Sequence, residues 1–305
     1  MENLPYNSLR KYYAEKYTQR VQKITVSLPF TCPHMAQDGT GGCTYCHQGS
    51  IPNLNDSKLP MQQQVITGIT AAQKRYGLNT KYIIYFQTHT NTNATIATLK
   101  KIYDEALGFE NVIGLGIGTR PDCVDNDVLN LLNQYCDSGH EVWIELGLQS
   151  ANNATLKIIN RGHTVEDFID AVLRAKKTKL KITAHMIIGL PGEKKEDFMK
   201  TAKLIASLGV HAIKIHPLHV MEGTVLGDNY KKQQFETLHL DDYIEALADI
   251  IEILPPDMIV MRYTAEAIDS HLLAPNYCRP EYKIVLKQML IAELLKRESK
   301  QGSKL

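Results

Sequence analysis

Three cysteines in the first fifty residues have the spacing of a metal or cluster site. Cys32, Cys43 and Cys46 form a C-x10-C-x2-C set inside a glycine-rich loop. A C-x2-C pair directs two thiolates to one metal ion or cluster, and a loop without helix or strand can bring the third to the same point. Three thiolates are one too few for a four-iron cluster. One iron would therefore stay open to a ligand from outside the protein.

The same cysteines could instead hold a structural zinc ion, with His34 or His47 as the fourth ligand. The sequence has no second C-x2-C pair, and the loop follows the first predicted strand, a poor place for a purely structural site. Both observations favour an iron–sulfur cluster over zinc. Cys123, Cys136 and Cys278 are widely spaced, so we assign them no role and expect no second cysteine-bound cluster.

Four polar residues interrupt apolar strand-like segments: Glu145, Lys214, His216 and Arg262. Lys214 and His216 share one face of their strand because strand side chains alternate with period two. Burying such groups is costly unless they pair or take part in chemistry. We interpret the four as candidate pocket residues, with a structural Glu145–Lys214 ion pair as the alternative. The Gly-x-Gly-x-Gly run at 114–118 lacks the spacing and the following helix of a dinucleotide site.

Apolar, β-branched segments alternate with helical patterns along the chain, at spacings of roughly 30 to 40 residues from the second segment onward. This order predicts strand–helix units, a parallel sheet and right-handed crossovers, hence an α/β fold with a partial (β/α)6 TIM-like barrel. In such folds the working residues lie at the carboxyl ends of the strands. Thr164 with Asp167 predicts one helix start, and Gly209 predicts a helix end. The predicted strands are 23–30, 81–87, 112–120, 142–150, 180–190 and 211–220.

Composition excludes several classes of protein. The 305 residues are 44% hydrophobic and 22% charged, as in ordinary globular domains and unlike disordered or coiled-coil chains. We find no apolar run long enough for a membrane helix and no signal-like N-terminus, so we predict a cytoplasmic protein with no membrane partner. Residues 1–23 and 279–305 carry net charges of +3 and +4. Basic ends could contact RNA, although solvated terminal helices explain them as well.

An ordered series of motifs resembles one known family. The cysteine loop with Tyr45 before its last cysteine is similar to the radical S-adenosylmethionine (SAM) superfamily, and the long first spacing is typical of its Elongator-catalytic-subunit-like branch. Within that branch the chain most resembles the small single-domain YhcC/YtqA-like subgroup. The resemblance divides the chain into an N-terminal basic extension (1–22), a radical SAM core barrel (23–265) and a C-terminal helical extension (266–305). The further matching motifs are FQTHTNTNAT (86–95), GIGTRPD (116–122), ELGLQS (145–150), NRGHT (160–164), MIIGLPGE (186–193) and IVMRYTAE (259–266).

The resemblance implies two cofactors and a reaction. Cys32, Cys43 and Cys46 would hold a [4Fe–4S] cluster whose open iron binds SAM. Reductive cleavage of SAM would give a 5′-deoxyadenosyl radical that abstracts a hydrogen atom from the substrate, while the protein orients the reactants and excludes water. A reducing partner such as flavodoxin or ferredoxin would supply the electron.

The resemblance also suggests which residues contact SAM. Gln149 would reach the SAM, and Arg161 would pair with its carboxylate, a task suited to a planar guanidinium. His185 replaces the aspartate that relatives direct to the ribose, and the usual Gly-Gly-Glu signature for the amino group is missing. The remaining expected contacts are Tyr45 against the adenine and Thr88, Thr90 and Asn91 near the amino group.

The sequence leaves more than one class of substrate open. The Elongator-like relationship and the basic ends favour an RNA base, such as a tRNA wobble uridine. One alternative is a radical SAM oxidoreductase acting on a small metabolite or a tetrapyrrole. Another, from a different class, is a zinc-containing barrel that binds RNA or protein without catalysis.

Overall fold

A computed structural model describes residues 4–36, 41–46, 59–265, 267 and 271–305. Seven strands form one parallel sheet in the order β1-β2-β3-β4-β5-β6-β8, and β7 pairs with β9 in a small antiparallel ribbon. The strands are β1 (Arg20–Val26), β2 (Thr80–Phe86), β3 (Val112–Thr119), β4 (Glu141–Gln149), β5 (Lys181–Ile188), β6 (Ala212–Pro217), β7 (Val220–Met221), β8 (Ile259–Arg262) and β9 (Leu272–Ala274).

Helices connect successive strands of the sheet, as the sequence predicts. The helices are α1 (Leu9–Lys16), α2 (Met61–Tyr76), α3 (Ile96–Leu107), α4 (Asn126–Asp137), α5 (Asn153–Ile158), α6 (Val165–Ala175), α7 (Lys195–Ser207), α8 (Val225–Lys231), α9 (Leu240–Ile253) and α10 (Tyr282–Lys296). Two further short 3₁₀ turns lie at Pro121–Cys123 and Asn276–Cys278. Thr164 and Asp167 form the predicted capping box of α6, and Gly209, with φ of 60°, follows the end of α7.

The sheet is curled into a half-barrel, which confirms the predicted fold class. Glu145 on β4 bonds at 2.8 Å to Lys23 on β1, three strands away, a contact that a flat sheet with about 4.8 Å between neighbouring strands would not allow. The sheet has seven strands rather than six because β8, which carries Arg262, pairs with β6. β1 begins at Arg20, inside the segment predicted as the N-terminal extension.

The two faces of the sheet bury different side chains. On β4, Ile144, Leu146 and Leu148 belong to the main apolar core, and the alternate residues face the inside of the barrel. Trp143 fills the amino-terminal end of that interior, against Tyr12 of α1 at a ring distance of 5.7 Å. The barrel interior is therefore closed by apolar packing at one end and lined by polar groups toward the other.

Candidate functional site

One cavity at the carboxyl ends of the strands collects most of the residues singled out from the sequence. Both the cysteine loop and the inner face of the sheet contribute to its wall. The predicted residues that line it are Cys32, Cys43, Tyr45, Cys46, Glu145, Gln149, Arg161, His185, Lys214, His216 and Arg262. Thr88, Thr90 and Asn91 do not belong to this lining.

The cysteine loop is held in place by the segment that follows α5. The Thr44 amide donates to the Ile159 carbonyl at 3.0 Å, and the Asn160 side chain donates to the Gly42 carbonyl at 2.7 Å. A further bond of 3.0 Å joins the Cys46 amide to the Cys43 carbonyl, which closes the C-x2-C turn. These bonds fix the loop beside the strand ends rather than leaving it to solvent.

The three thiols influence one another's ionisation. Burial disfavours the Cys43 thiolate, but Arg161 and His34, 3.5 and 3.6 Å from its sulfur, lower its pKa to about 6. Protein atoms around its sulfur, with added repulsion from Cys43 and Cys32, raise the pKa of Cys46 to about 12, although the residue as a whole is exposed. Burial also raises the pKa of Cys32, although Thr90 donates to its sulfur at 3.2 Å. All three thiols line the same cavity, as a cluster would require.

Arg161 is buried beside this site with part of its hydrogen-bonding capacity unused. Nη2 donates to the Gly147 carbonyl at 3.0 Å, while Nε has no partner among the described residues. Burial opposes its charge, but Tyr45 and Cys43 raise its pKa, so the guanidinium stays ionised. An added Cβ at Gly147 would lie 2.5 Å from Nη2 and 2.7 Å from the Gln149 amide nitrogen. Glycine there leaves room for both side chains, and Gln149 itself has a left-handed φ of 74°.

Deeper in the barrel, Glu145 and the four polar side chains that donate hydrogen bonds to it form one cluster. Oε1 accepts from Lys23 at 2.8 Å, and Oε2 accepts from Tyr85 at 2.7 Å, from His185 at 3.0 Å and from Lys214. We call Lys23, Tyr85, Glu145, His185 and Lys214 the Glu145 cluster. The Glu145–Lys214 pair is the one foreseen as the structural alternative. Lys23 and Tyr85 were not singled out from the sequence, and their only signal was a polar group inside a strand pattern.

Burial sets the ionisation of this cluster. It lowers the pKa of Lys214 to about 7, although Glu145 acts to raise it, and it lowers the pKa of His185 to about 4. Burial would also raise the pKa of Glu145, but Lys214 and Lys23 outweigh it and hold that pKa well below its usual range. The carboxylate is therefore charged and His185 is neutral near pH 7.

Comparisons with known proteins identify the family. The model of the radical SAM superfamily matches residues 35–205, and that of the radical SAM C-terminal domain matches residues 210–292. The chain belongs to the radical SAM superfamily. It is 36% identical over 266 residues to protein YhcC of Escherichia coli, across 86% of this chain and 84% of that protein. The predicted YhcC/YtqA-like relationship is thereby confirmed.

Two further similarities concern the Elongator-like branch. The solved structure of Elp3 from Methanocaldococcus infernus, with an N-terminal deletion, superposes with a TM-score of 0.69 at 21% identity. The match covers 93% of this chain and 64% of that one, and it supports the fold. The tRNA uridine(34) acetyltransferase of the same organism is 35% identical over 147 residues, 47% of this chain and 27% of that protein.

Radical SAM membership implies a four-iron cluster and SAM, and the residues present fit both. Three thiols in the wall of one cavity suit a cluster with one open iron, and the unpartnered Arg161 Nε suits a carboxylate. Within the described residues, no three His, Cys, Asp or Glu side chains converge in the geometry of a single-ion site. His47, one candidate ligand for zinc, lies outside those residues.

The segment expected near the SAM amino group has a different arrangement. The side-chain amide of Asn91 donates to the Phe86 and Gly118 carbonyls at 3.1 and 2.8 Å, which connects the ends of β2 and β3. His89, between the expected residues, lines the cavity instead, with a left-handed φ of 56°. The contacts of Thr88, Thr90 and Asn91 with SAM stay predictions.

Arg120 is a further buried cation that the sequence motif GTRPD contained but did not single out. It donates twice to Asp122, at 2.9 and 2.7 Å, and once to the Gly162 carbonyl at 2.8 Å. Its Nη1 also contacts the ring of His34. Arg120 thus connects the end of β3 with the cysteine loop and with the turn after Arg161.

No helix among the described residues combines the length and the apolar character that crossing a membrane needs.

Proposed function

We propose that this chain is a radical SAM enzyme that cleaves SAM reductively and uses the resulting 5′-deoxyadenosyl radical to abstract a hydrogen atom from its substrate. One observation carries the proposal: the three thiols and the buried Arg161, whose Nε has no partner among the described residues, line the same cavity at the strand ends. The family comparison supports it, since the radical SAM superfamily model matches residues 35–205, which contain Cys43, Cys46 and Arg161.

Each residue has a task in this proposal that follows from its position. Cys32, Cys43 and Cys46 would hold the cluster, and Arg161 would hold the SAM carboxylate with donors that the protein leaves unused. Gln149, turned into the cavity by its left-handed backbone, would contact SAM beside it. When bound, the cluster and SAM would supply one-electron cleavage of a sulfur–carbon bond. The apolar packing around Trp143 would keep water from the closed end of the barrel.

The test is metal content and SAM cleavage in anaerobically reconstituted protein. We expect about four irons per chain, as a single [4Fe–4S] cluster requires, and 5′-deoxyadenosine formed from SAM after reduction. Cys43→Ala should lose both, whereas the matched Cys136→Ala, which alters a half-buried helix cysteine, should keep both. One zinc per chain and no 5′-deoxyadenosine would overturn the assignment.

We further propose that the substrate is an RNA base, such as a tRNA wobble uridine, and that a flavodoxin or ferredoxin supplies the electron. Support comes from the similarity to a tRNA uridine(34) acetyltransferase and from the net positive charge of both chain ends. An RNA ligand contacts cations through phosphates, so its affinity must fall steeply with salt.

Filter binding of tRNA at increasing potassium chloride checks the RNA substrate. We expect saturable tRNA binding whose affinity falls by about tenfold or more between about 50 and 200 mM potassium chloride, because several phosphate contacts release counterions. Weak binding that does not change with salt would argue against RNA.

A further inference from the structure

The interior of the barrel contains more hydrogen-bond donors than the protein's own acceptors can use. Both oxygens of Glu145 are occupied, by Lys23 on one side and by Tyr85, His185 and Lys214 on the other. Glu145 is also the only carboxylate among the described residues that line the cavity. No acceptor of negative charge is left there for another cation.

Two cations keep unused donors toward the cavity. The Lys214 ammonium has three N–H groups and uses two, on Glu145 and on the Tyr85 hydroxyl at 2.9 Å. The Arg262 guanidinium has five and uses one, from Nε to the Thr264 carbonyl at 2.6 Å. β6 and β8 pair Lys214 with Arg262 in register, so these donors are neighbours on the sheet.

The surrounding groups leave this region positively charged. Lys23 and Lys214 share the single charge of Glu145, and Arg262 has no carboxylate partner among the described residues. His185 and His216 line the same cavity as these cations, with ring centres 5.8 Å apart. Burial, together with Arg262 for His216, lowers the pKa of both rings, so neither adds charge near pH 7.

We propose that Lys214 and Arg262 bind an oxyanion, a carboxylate or phosphate group, of the substrate. That the anion belongs to the substrate rests on the proposed function. The anion site itself rests on the unused donors and the excess of positive charge. A planar guanidinium beside an ammonium is suited to an oxyanion because such a group accepts several charge-assisted hydrogen bonds at once. The site is distinct from that of Arg161, whose donors are directed to Cys43 and the Gly147 carbonyl.

The experiment is a calorimetric titration of the reconstituted full-length protein with sodium phosphate and, separately, with sodium acetate. SAM is present and no reductant is added, so that Arg161 is occupied and no turnover occurs; sodium chloride is the background. Arg262→Gln removes the guanidinium, and Arg75→Gln removes an exposed guanidinium on α2 as a matched change of charge. Arg262→Lys keeps the charge and serves if Arg262→Gln does not fold by circular dichroism.

We expect saturable binding of at least one anion, weakened by about tenfold or more in Arg262→Gln, weakened less in Arg262→Lys and unchanged in Arg75→Gln. The tighter anion then distinguishes a phosphate from a carboxylate substrate. No saturable binding, or equal weakening in the Arg262 and Arg75 variants, would overturn the proposal. Formation of 5′-deoxyadenosine by the unaltered protein is measured separately, so failure of the radical SAM assignment is distinguishable from failure of the anion site.

Discussion

Arg161 combines two tasks that only a guanidinium can perform together. One terminal nitrogen holds the Gly147 carbonyl at 3.0 Å and the other lies 3.5 Å from the Cys43 sulfur. Nε stays without a partner among the described residues, and the absence of a side chain at Gly147 makes this approach possible. An ammonium has one nitrogen and cannot span these positions.

Arg161→Lys should therefore weaken SAM binding by about tenfold or more, since charge-assisted hydrogen bonds to the carboxylate are lost. The measurement is equilibrium binding of SAM to reconstituted protein, compared at equal iron content because Arg161 also contacts Cys43. Arg174→Lys, an arginine paired with Asp170 on the outer helix α6, is the matched control. Equal SAM affinity in all three proteins would contradict the role given to Arg161.

Among the elements, strand β4 shows how a simple alternation produces both core and site. Its odd-numbered residues from Trp143 to Gln149 face the barrel interior, where they change from a packed indole to a carboxylate, a glycine and an amide. Glycines on β3 leave space for side chains inside the barrel. A Cβ at Gly116 would lie 2.9 Å from the Tyr85 ring. The Gly-x-Gly-x-Gly run thus makes room for Tyr85 to reach Glu145 rather than for a nucleotide.

Glu145 and Lys214 should be coupled in their effect on stability. Glu145→Gln leaves Lys23 and Lys214 buried without a carboxylate, and we expect a loss of about 3–5 kcal/mol in the free energy of unfolding. Lys214→Gln leaves Glu145 with Lys23, so its cost should be smaller. The double variant should cost less than the two single losses together, because the second change removes a charge that the first left unpaired.

Urea denaturation of the four proteins measures this coupling. Lys100→Gln with Asp104→Asn, an exposed pair on α3, is the matched control, and its effects should be within about 1 kcal/mol. Strictly additive effects of Glu145→Gln and Lys214→Gln would show that the pair is not the centre of the cluster.

The strands and the polar residues inside them were predictable from sequence because each is a local property. Apolar, β-branched segments located six of the seven strands of the parallel sheet, and polar residues inside them marked Glu145 and Lys214. The expected SAM contacts came only from the resemblance to a family. Lys23 was missed because it reaches Glu145 only through the curl of the sheet, which no local pattern encodes. His89 was missed for a related reason, since a left-handed backbone rather than a motif turns it into the cavity.

At the scale of the whole molecule, the curled sheet encloses two histidines in a neutral state. His185 and His216 line the cavity inside the barrel, with ring centres 5.8 Å apart. Burial lowers the pKa of His185 to about 4, from an ordinary value of 6.5, and that of His216 well below this ordinary value. Glu193 has the opposite shift, because burial raises its pKa to about 7.

The shift of His185 predicts how one enclosed histidine responds to mild acidification. Below pH 6.5 the unfolded chain protonates this histidine while the folded chain, in which its pKa is about 4, does not, so it costs about 2 kcal/mol of stability between pH 7.5 and 5. Glu193, Lys214 and Cys43 act the other way, because their folded-state pKa values of about 7, 7 and 6 mean that the folded chain takes up protons in this range. The prediction is therefore a difference between variants rather than a net slope. In urea denaturation of the cluster-free chain, His185→Asn should respond to this acidification about 2 kcal/mol more favourably than the unaltered chain, and the exposed His239→Asn should respond as the unaltered chain does. An unchanged response in His185→Asn would mean that the barrel interior hydrates enough to protonate this ring.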